Sequence, residues 1–599
     1  MLKKFFLIVC GSFVGAFLAL IFVTLVSVLM SFIIFGSLSS SMGNAKVEKN
    51  SIMYLRLEGV LNEREAPGAS QLKMFMPQQA PSQSLNTLIQ GLKLAKEDKN
   101  IKGIYIDCRG LGAGMASLQE LRKALEDFKA SKKFIYAFGD EGIAQGDYYL
   151  ASVADSIFLN PEGSVDIHGL ASATPYFKKL LDKVGVEMQV VRVGTFKSAV
   201  EPFMLESMSE ANRLQQEHYL GSLWNVISSD MAKSRGIAPA KFNTLADSVM
   251  AVMTSDELKA NKLIDRTCYR TEMEDKLRAL TEVEKDKDLK LVTAEDIVAN
   301  SSIPIGTSGE HIAVVYATGE IDGSPSVPGM NEDGITSEDL AQTIRKLQLD
   351  DNVKGMVLRV NSPGGSAFGS EVIWKALEDF KSTGKPLAVS MSDYAASGGY
   401  YISSGAQRIF AEPLTITGSI GIFGMIPCAS NLFNNTLGVK FEEVSTNPNA
   451  IIATQFKPLT ESQRAALQRM VNRGYETFTN RCATGRKVSQ DSIKSIAEGR
   501  VWDAVTAKQI GLVDELGGLG DAVKWVAKQA KLKEGNYTTV DYPDMEMSFY
   551  KMFGTMYKMK QENDLRQRMG MFYTCYEQLQ AILGRDRLLC IMEPIEINF

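Results

Sequence analysis

The sequence predicts an α/β protein made of two tandem copies of one strand–helix unit, held by a single N-terminal transmembrane helix. Three observations carry this: an internal repeat, short apolar strands alternating with amphipathic helices, and a long uncharged apolar run at the start. The 599 residues are 45% hydrophobic and 23% charged, enough for several domains with a sizeable core. A net charge of -5 gives no basic footprint for nucleic acid.

Residues 1–36 comprise a short N-terminus and the apolar run. No charge stands between Phe5 and Phe35, and ~20 apolar residues already cross a bilayer. A run about twice as long as a signal-peptide core argues against a cleaved leader. Lys3 and Lys4 precede it, and lysines on the short side hold that side in the cytoplasm. The body is therefore expected on the periplasmic face of a bacterial inner membrane. Residues 37–50 join it to the anchor.

The repeat divides the body. Lys123-Ala-Leu-Glu-Asp-Phe-Lys129 recurs as Lys375-Ala-Leu-Glu-Asp-Phe-Lys381, 252 positions on. Lys102–Ile106 matches Lys354–Leu358, Tyr148-Tyr149 matches Tyr400-Tyr401, and Pro161 matches Pro413, all at that offset. Collinear matches at one offset mean duplication. The first repeat spans 51–300, a Ser/Pro/Gly-bearing linker 301–310, the second repeat 311–540, and a tail 541–599.

Within the second repeat, His311–Thr318 reads as a strand. A helix over Ser337–Leu347 follows, with Ser337 as its cap and Leu340, Thr343, Ile344 and Leu347 inward. A strand at Lys354–Val360, a Gly-rich turn and a helix over Glu371–Lys381 come next. A strand at Pro386–Met391 then leads through Asp393–Tyr401 to a helix start at Tyr401–Ala406, and Arg408–Ala411 closes the series as a short strand. Short apolar strands between helices predict a parallel sheet covered on both faces.

The two copies have kept different chemistry. Ser397 sits among small residues ahead of a helix, where free N–H groups and the positive end of the dipole gather; the first copy has Gln145 there. Downstream the register slips by one, and Lys197 of the first copy stands opposite Ala450 of the second. The glycine turns differ as well: Asn361-Ser-Pro-Gly-Gly-Ser366 faces Arg109-Gly-Leu-Gly-Ala-Gly114. A serine nucleophile needs a base. Of the three histidines, His311 begins a predicted strand, His218 lies in a polar helical stretch and His168 has no matching acid motif; each reads as a structural or surface residue. A lysine serves if burial brings its pKa toward neutrality. On these residues alone, Ser397 as a plain turn residue and Lys197 as a surface lysine are the competing readings.

The seven cysteines contain no C-x-x-C and form neither a disulfide framework nor a zinc site. No metal or organic cofactor motif is present.

The motifs Arg359–Ser366, Asp393–Tyr401, Thr417–Gly424 and Gly194–Pro202 resemble the signal peptide peptidase A family in its long, duplicated, membrane-anchored form. The resemblance implies a Clp-protease/crotonase-like fold for each repeat and a serine endopeptidase with a Ser–Lys dyad. By match, Ser397 is the nucleophile, Lys197 the general base, and Ser419 the hydroxyl that holds the lysine amine. Gly364 and Gly365 fall where backbone N–H groups form the oxyanion hole. The resemblance also implies a homotetramer acting on leftover signal peptides and other hydrophobic peptides. Two other classes stay open: a crotonase-type acyl-CoA enzyme, which also holds an oxyanion on glycine N–H groups, and a non-catalytic membrane scaffold. The methionines between 541 and 575 read as an adaptable apolar region for core packing or subunit contact.

Overall fold

A computed structural model describes residues 45–64, 81–301, 309–322, 334–533, 537–543, 565, 568–569, 589–592 and 597–598. The apolar helix expected at Phe5–Phe35, most of the 301–310 linker and the methionine-rich stretch apart from Met569 lie outside these residues. Among the described residues no helix is long and apolar enough to cross a membrane.

The first half runs β1 (Ser51–Asn62), α1 (Leu85–Glu97), β2 (Ile101–Gly112), α2 (Met115–Lys129), β3 (Phe134–Gly139), α3 (Gln145–Ala151), β4 (Ser156–Leu159), β5 (Glu187–Val193) and α4 (Glu210–Arg235). Strands β4-β3-β2-β1 pair in parallel, and two-residue strands at Arg266–Thr267 and Leu291–Val292 extend the edges. The second half runs β6 (His311–Thr318), α5 (Ser337–Leu349), β7 (Val353–Ser362), β8 (Gly364–Ser366), α6 (Ala367–Ser382), β9 (Leu387–Ala396), α7 (Gly398–Ser403), β10 (Arg408–Ala411), β11 (Ile416–Gly418), β12 (Ile422–Cys428), α8 (Glu461–Arg486), β13 (Val501–Asp503), β14 (Thr538–Tyr542) and β15 (Leu589–Ile591). Its main sheet has the order β13-β11-β9-β7-β6-β14, parallel except for β13 against β11.

The duplicated heptapeptide explains why both halves fold alike. Leu125 and Phe128 of α2 are buried, and so are Leu377 and Phe380 of α6. Each such side chain taken out of water contributes ~1.5–3 kcal/mol. In β7 the run Gly355–Val360 is buried on both faces, as a strand between two helix layers must be.

Two element ends differ from the sequence expectation. β9 continues five residues past Met391, because Tyr394, Ala395 and Ala396 pair with Ile416, Thr417 and Gly418. The helix after it accordingly begins at Gly398, three residues before Tyr401. Ser337 is the first helical residue and not the cap: Thr336 holds that position, and the Asp322 carboxylate accepts the Ser337 N–H at 2.7 Å. Thr343 is only half-buried, its hydroxyl donating to Asp339 C=O at 2.9 Å.

Two features fasten the halves together. The first is an antiparallel sheet, β8-β15-β12-β5, in which all seven residues of β5 pair with β12 from Ile422–Val193 to Cys428–Glu187. The second is a buried polar seam. Arg359 on β7 is fully buried and bonds Glu63 at 3.0 Å and Glu120 at 2.6 Å, with Ser390 Oγ at 2.8 Å. Lys123 pairs with the buried Glu412, and Asp393 accepts from Ser117 N–H at 2.9 Å and Ser117 Oγ at 2.8 Å. The polar residues that lengthen β9 thus find their partners on the other copy.

Candidate active site

β9 ends at Ala396, and Ser397 turns the chain into α7. Its φ of 55° and ψ of -112° are rare for a residue with a side chain, a conformation that costs of the order of 1–3 kcal/mol. The turn is held at both ends: Ser397 N–H donates to Gly418 C=O at 2.8 Å, and Ser397 C=O accepts from Tyr401 N–H at 2.8 Å. Although Ser397 is the N-cap, its hydroxyl makes no cap bond. It accepts instead from the Lys197 amine at 2.9 Å.

Lys197 reaches this position because β5 pairs with β12 and delivers the next residues across the gap between copies. Gly194, with φ 108°, lets the chain pass the Glu498 carbonyl, where an added Cβ would lie 2.3 Å from that oxygen. Gly499 leaves room for the lysine stem in the same way, since a Cβ there would meet Lys197 Cβ at 2.7 Å. Gly194 opens the Gly194–Pro202 motif, though the sequence reading gave it no role, and Gly499 escaped that reading altogether. The amine is 1% exposed and touches Ser397 Oγ, Ser419 Oγ at 2.9 Å and Ser419 C=O at 3.1 Å. Burial lowers its pKa from 10.5 to about 7, only partly countered by the nearby Cys590 thiol. Ser419 is itself held in place, at φ 49°, by its N–H bond to Arg500 C=O at 2.7 Å.

Gly364 and Gly365 line the same cleft, with φ 113° and 149°. The Gly364 N–H takes Ser362 Oγ at 3.2 Å. Gly365 faces the strand β15, opposite Cys590. Gly398 N, at the start of α7, lies on the other side of Gly364, 2.8 Å from where a Gly364 Cβ would be. Its N–H is one of the helix's free donors, and the sequence reading did not single it out. The histidines are engaged elsewhere or exposed: His218 with Thr506 at 3.1 Å, His311 with Tyr542 at 3.3 Å, His168 on the surface. Among the described residues no His/Cys/Asp/Glu group has the arrangement to hold a metal ion.

The matching place in the first copy is closed by its own side chains. Gln145 Oε1 accepts from His168 N–H and Gly169 N–H, both at 3.0 Å. Asp147 accepts from Gly110 N–H at 2.8 Å and Leu111 N–H at 3.0 Å. Two N–H groups of that glycine turn are thereby spent on a carboxylate of their own copy. Ala450, opposite Lys197 in the sequence, is exposed on a loop.

The pattern of peptidase family S49 matches residues 127–284 and 379–533 of this chain. Protease 4 of Salmonella typhi is 40% identical over 462 residues, covering 75% of this chain and 73% of that protein. Protease 4 of Haemophilus influenzae is 36% identical over 445 residues, 73% of this chain and 71% of that one. The chloroplastic serine protease SPPA of Arabidopsis thaliana is 29% identical over 490 residues, 81% of this chain and 70% of its own.

Proposed function

The chain belongs to peptidase family S49, the signal peptide peptidase A family, and is a serine-type peptidase; from that premise we propose that Ser397 and Lys197 form its catalytic dyad. The observation that supports this most directly is the 2.9 Å contact between Lys197 Nζ and Ser397 Oγ inside a buried site. A neutral lysine takes the serine proton as Oγ attacks the scissile carbonyl, and later gives it to the leaving amine. Ser419 aims the amine at Oγ. Of the two glycines expected in the oxyanion hole, Gly364 has its N–H on Ser362 Oγ, so the N–H groups of Gly365 and Gly398 receive the developing oxyanion. The Clp-protease/crotonase-like fold expected of each repeat accords with the parallel, helix-covered sheets. An acyl-CoA enzyme would have no use for a serine held on a buried amine from the other copy.

The substrates are hydrophobic peptides at the membrane, among them signal peptides already released. The Phe5–Phe35 segment anchors the enzyme to the inner membrane with its body in the periplasm, as a homotetramer, and tethering concentrates the site near such peptides. Fluorophosphonate labelling tests the activated serine: the full chain is expected to be labelled and Ser397→Ala is not. Equal labelling of both would remove Ser397 from the mechanism.

The pH dependence follows from the amine. Lys197 must be neutral to act, so kcat/KM rises with pH through an apparent pKa near the lowered value of about 7. A pH–rate profile already flat at pH 5 would exclude this lysine as the base. Ser419→Ala removes one of the two hydroxyls on the amine, and is expected to lower kcat ~10–100-fold with KM little changed, read from steady-state kinetics.

A further inference from the structure

Two peptide groups, one from each copy, fix where the lysine amine stands relative to Ser419. The peptide joining Phe196 to Lys197 belongs to the first copy. The peptide joining Arg500 to Val501 belongs to the second, and its C=O accepts the Ser419 N–H at 2.7 Å. In a trans peptide the N–H points the opposite way. β13 is the last strand of its sheet, so the Val501 N–H is an edge donor, yet Val501 is only 4% exposed. Such a buried donor needs a partner. The partner is Gln215 of α4, itself 2% exposed, whose Oε1 accepts the Val501 N–H at 3.1 Å. Its Nε2 donates to Phe196 C=O at 3.2 Å and to Ser198 Oγ at 3.0 Å. One side chain from the first copy thus spans both neighbours of Lys197 and the peptide that carries Ser419.

An amide suits this place because the two backbone groups differ: Val501 N–H only donates and Phe196 C=O only accepts. The orientation is set from behind. Asn212, three residues earlier on the same helix face, presents its Oδ1 to Gln215 Nε2 at 3.0 Å and its Nδ2 to Glu201 Oε2 at 3.2 Å. Glu201 is 1% exposed and also accepts from Ser209 Oγ at 2.6 Å and Ser209 N–H at 3.2 Å. A carboxylate that only accepts turns the Asn212 amide, and the Asn212 amide turns Gln215. The charged groups around the lysine turn are Glu201, Arg192, which donates to Lys197 C=O at 3.3 Å, and Arg500, 4.9 Å from the Phe196 ring centre. The Cys590 thiol is the titratable group that acts on the amine itself, and no carboxylate bonds that amine among the described residues.

We propose that Gln215 is a positioning residue for peptide hydrolysis: it sets the distance between Lys197 and Ser419 across the two copies, and so aims the amine at Ser397 Oγ. The proposal rests on the dyad reading above. Gln215 bonds neither Ser397 nor Gly364 nor Gly365, so it acts through Lys197 and Ser419 and not on the substrate. Without its amide, the buried Val501 N–H and the Phe196 C=O lose their common partner. Both then draw in water, the lysine turn slips against the Ser419 strand, and the amine regains part of its hydration. Misplacement lowers turnover. Hydration restores the charged form of the lysine, which then needs a higher pH to become the base.

Steady-state peptide hydrolysis by the full chain, measured from pH 5 to pH 10 beside thermal melts, tests this on Gln215→Met. The expected result is a kcat lower by ~10–100-fold with KM little changed, and an acidic limb of kcat/KM moved up by about one pH unit or more. Gln119→Met is the matched control. Gln119 of α2 is 4% exposed and also ties the first copy to the second, accepting Leu414 N–H at 3.1 Å, away from the lysine turn. It is expected to melt lower than the parent with the parental kcat and acidic limb. Gln215→Asn keeps a buried amide but is one methylene short of both peptides. It is expected to move the limb the same way, and it is read in place of the methionine variant if that one does not fold. A folded Gln215 variant with the parental kcat and pH profile overturns the positioning role and leaves the dyad intact. An equal shift in Gln119→Met overturns it too, since any loosening between the copies would then suffice. A parent with no acidic limb overturns the dyad reading and this proposal together.

Discussion

Lys197→Met is expected to abolish peptide hydrolysis while leaving the protein at least as stable as its parent. Ser397→Ala is expected to abolish hydrolysis as well, because loss of one member of a catalytic unit costs nearly as much as loss of all of it, of the order of 10⁴-fold or more. The lysine variant is the more telling, because a structural lysine predicts the opposite stability change. In the unfolded chain the amine titrates near 10.5, and in the fold near about 7. Between those values the unfolded state binds the extra proton, so stability rises with pH through that window and is lowest below it. At pH 7 the buried amine costs on the order of 4 kcal/mol. Methionine fills a similar volume without that cost, although it leaves the Ser397 and Ser419 hydroxyls without the amine. Thermal melts at pH 7 and pH 10 measure it: Lys197→Met should melt no lower than the parent at pH 7, and the parent should close any gap at pH 10. An inactive variant that melts many degrees lower at both pH values would make Lys197 a structural residue.

The residues that meet at 2.9 Å were legible because the duplication exposes them. A serine present in one copy and replaced by Gln145 in the other, and a lysine replaced by Ala450, are signals a single-copy chain would not carry. What brings them together was not legible. Pairing of β5 with β12 is a contact between copies, and neither strand's sequence names its partner. The polar residues Ser392 and Asp393 ended the predicted strand at Met391 for the same reason, since the groups that satisfy them, Glu63 and Ser117, lie in the other half. Cys590 is buried. Its burial is inside the cleft, and only the register against Gly365 reveals that.

Arg359→Met is expected to give the largest loss of stability, ~3–5 kcal/mol, the usual result of removing one partner from a buried ion cluster. Arg359 is fully buried, and the Glu63 and Glu120 side chains are each 7% exposed, so its removal strands two carboxylates with almost no water. That is a large fraction of the ~5–15 kcal/mol that holds a typical domain. Arg359→Lys should recover only part, because one ammonium cannot reproduce the fork that bonds both oxygens of Glu63 and still reaches Glu120. The same cluster positions the site indirectly. β7 pairs with β9, β9 ends at Ser397, and both carboxylates come from the half that supplies Lys197. Loosening the seam lets serine and lysine drift apart, so hydrolysis should fall along with the melting temperature. The triple variant Arg359→Met, Glu63→Leu, Glu120→Leu discriminates between a seam and a catalytic charge: with the charges gone together, apolar packing can replace them. Recovery of both the melting temperature and hydrolysis in the triple variant is the expected result. Recovery of stability without hydrolysis would mean that one of these charges takes part in the chemistry.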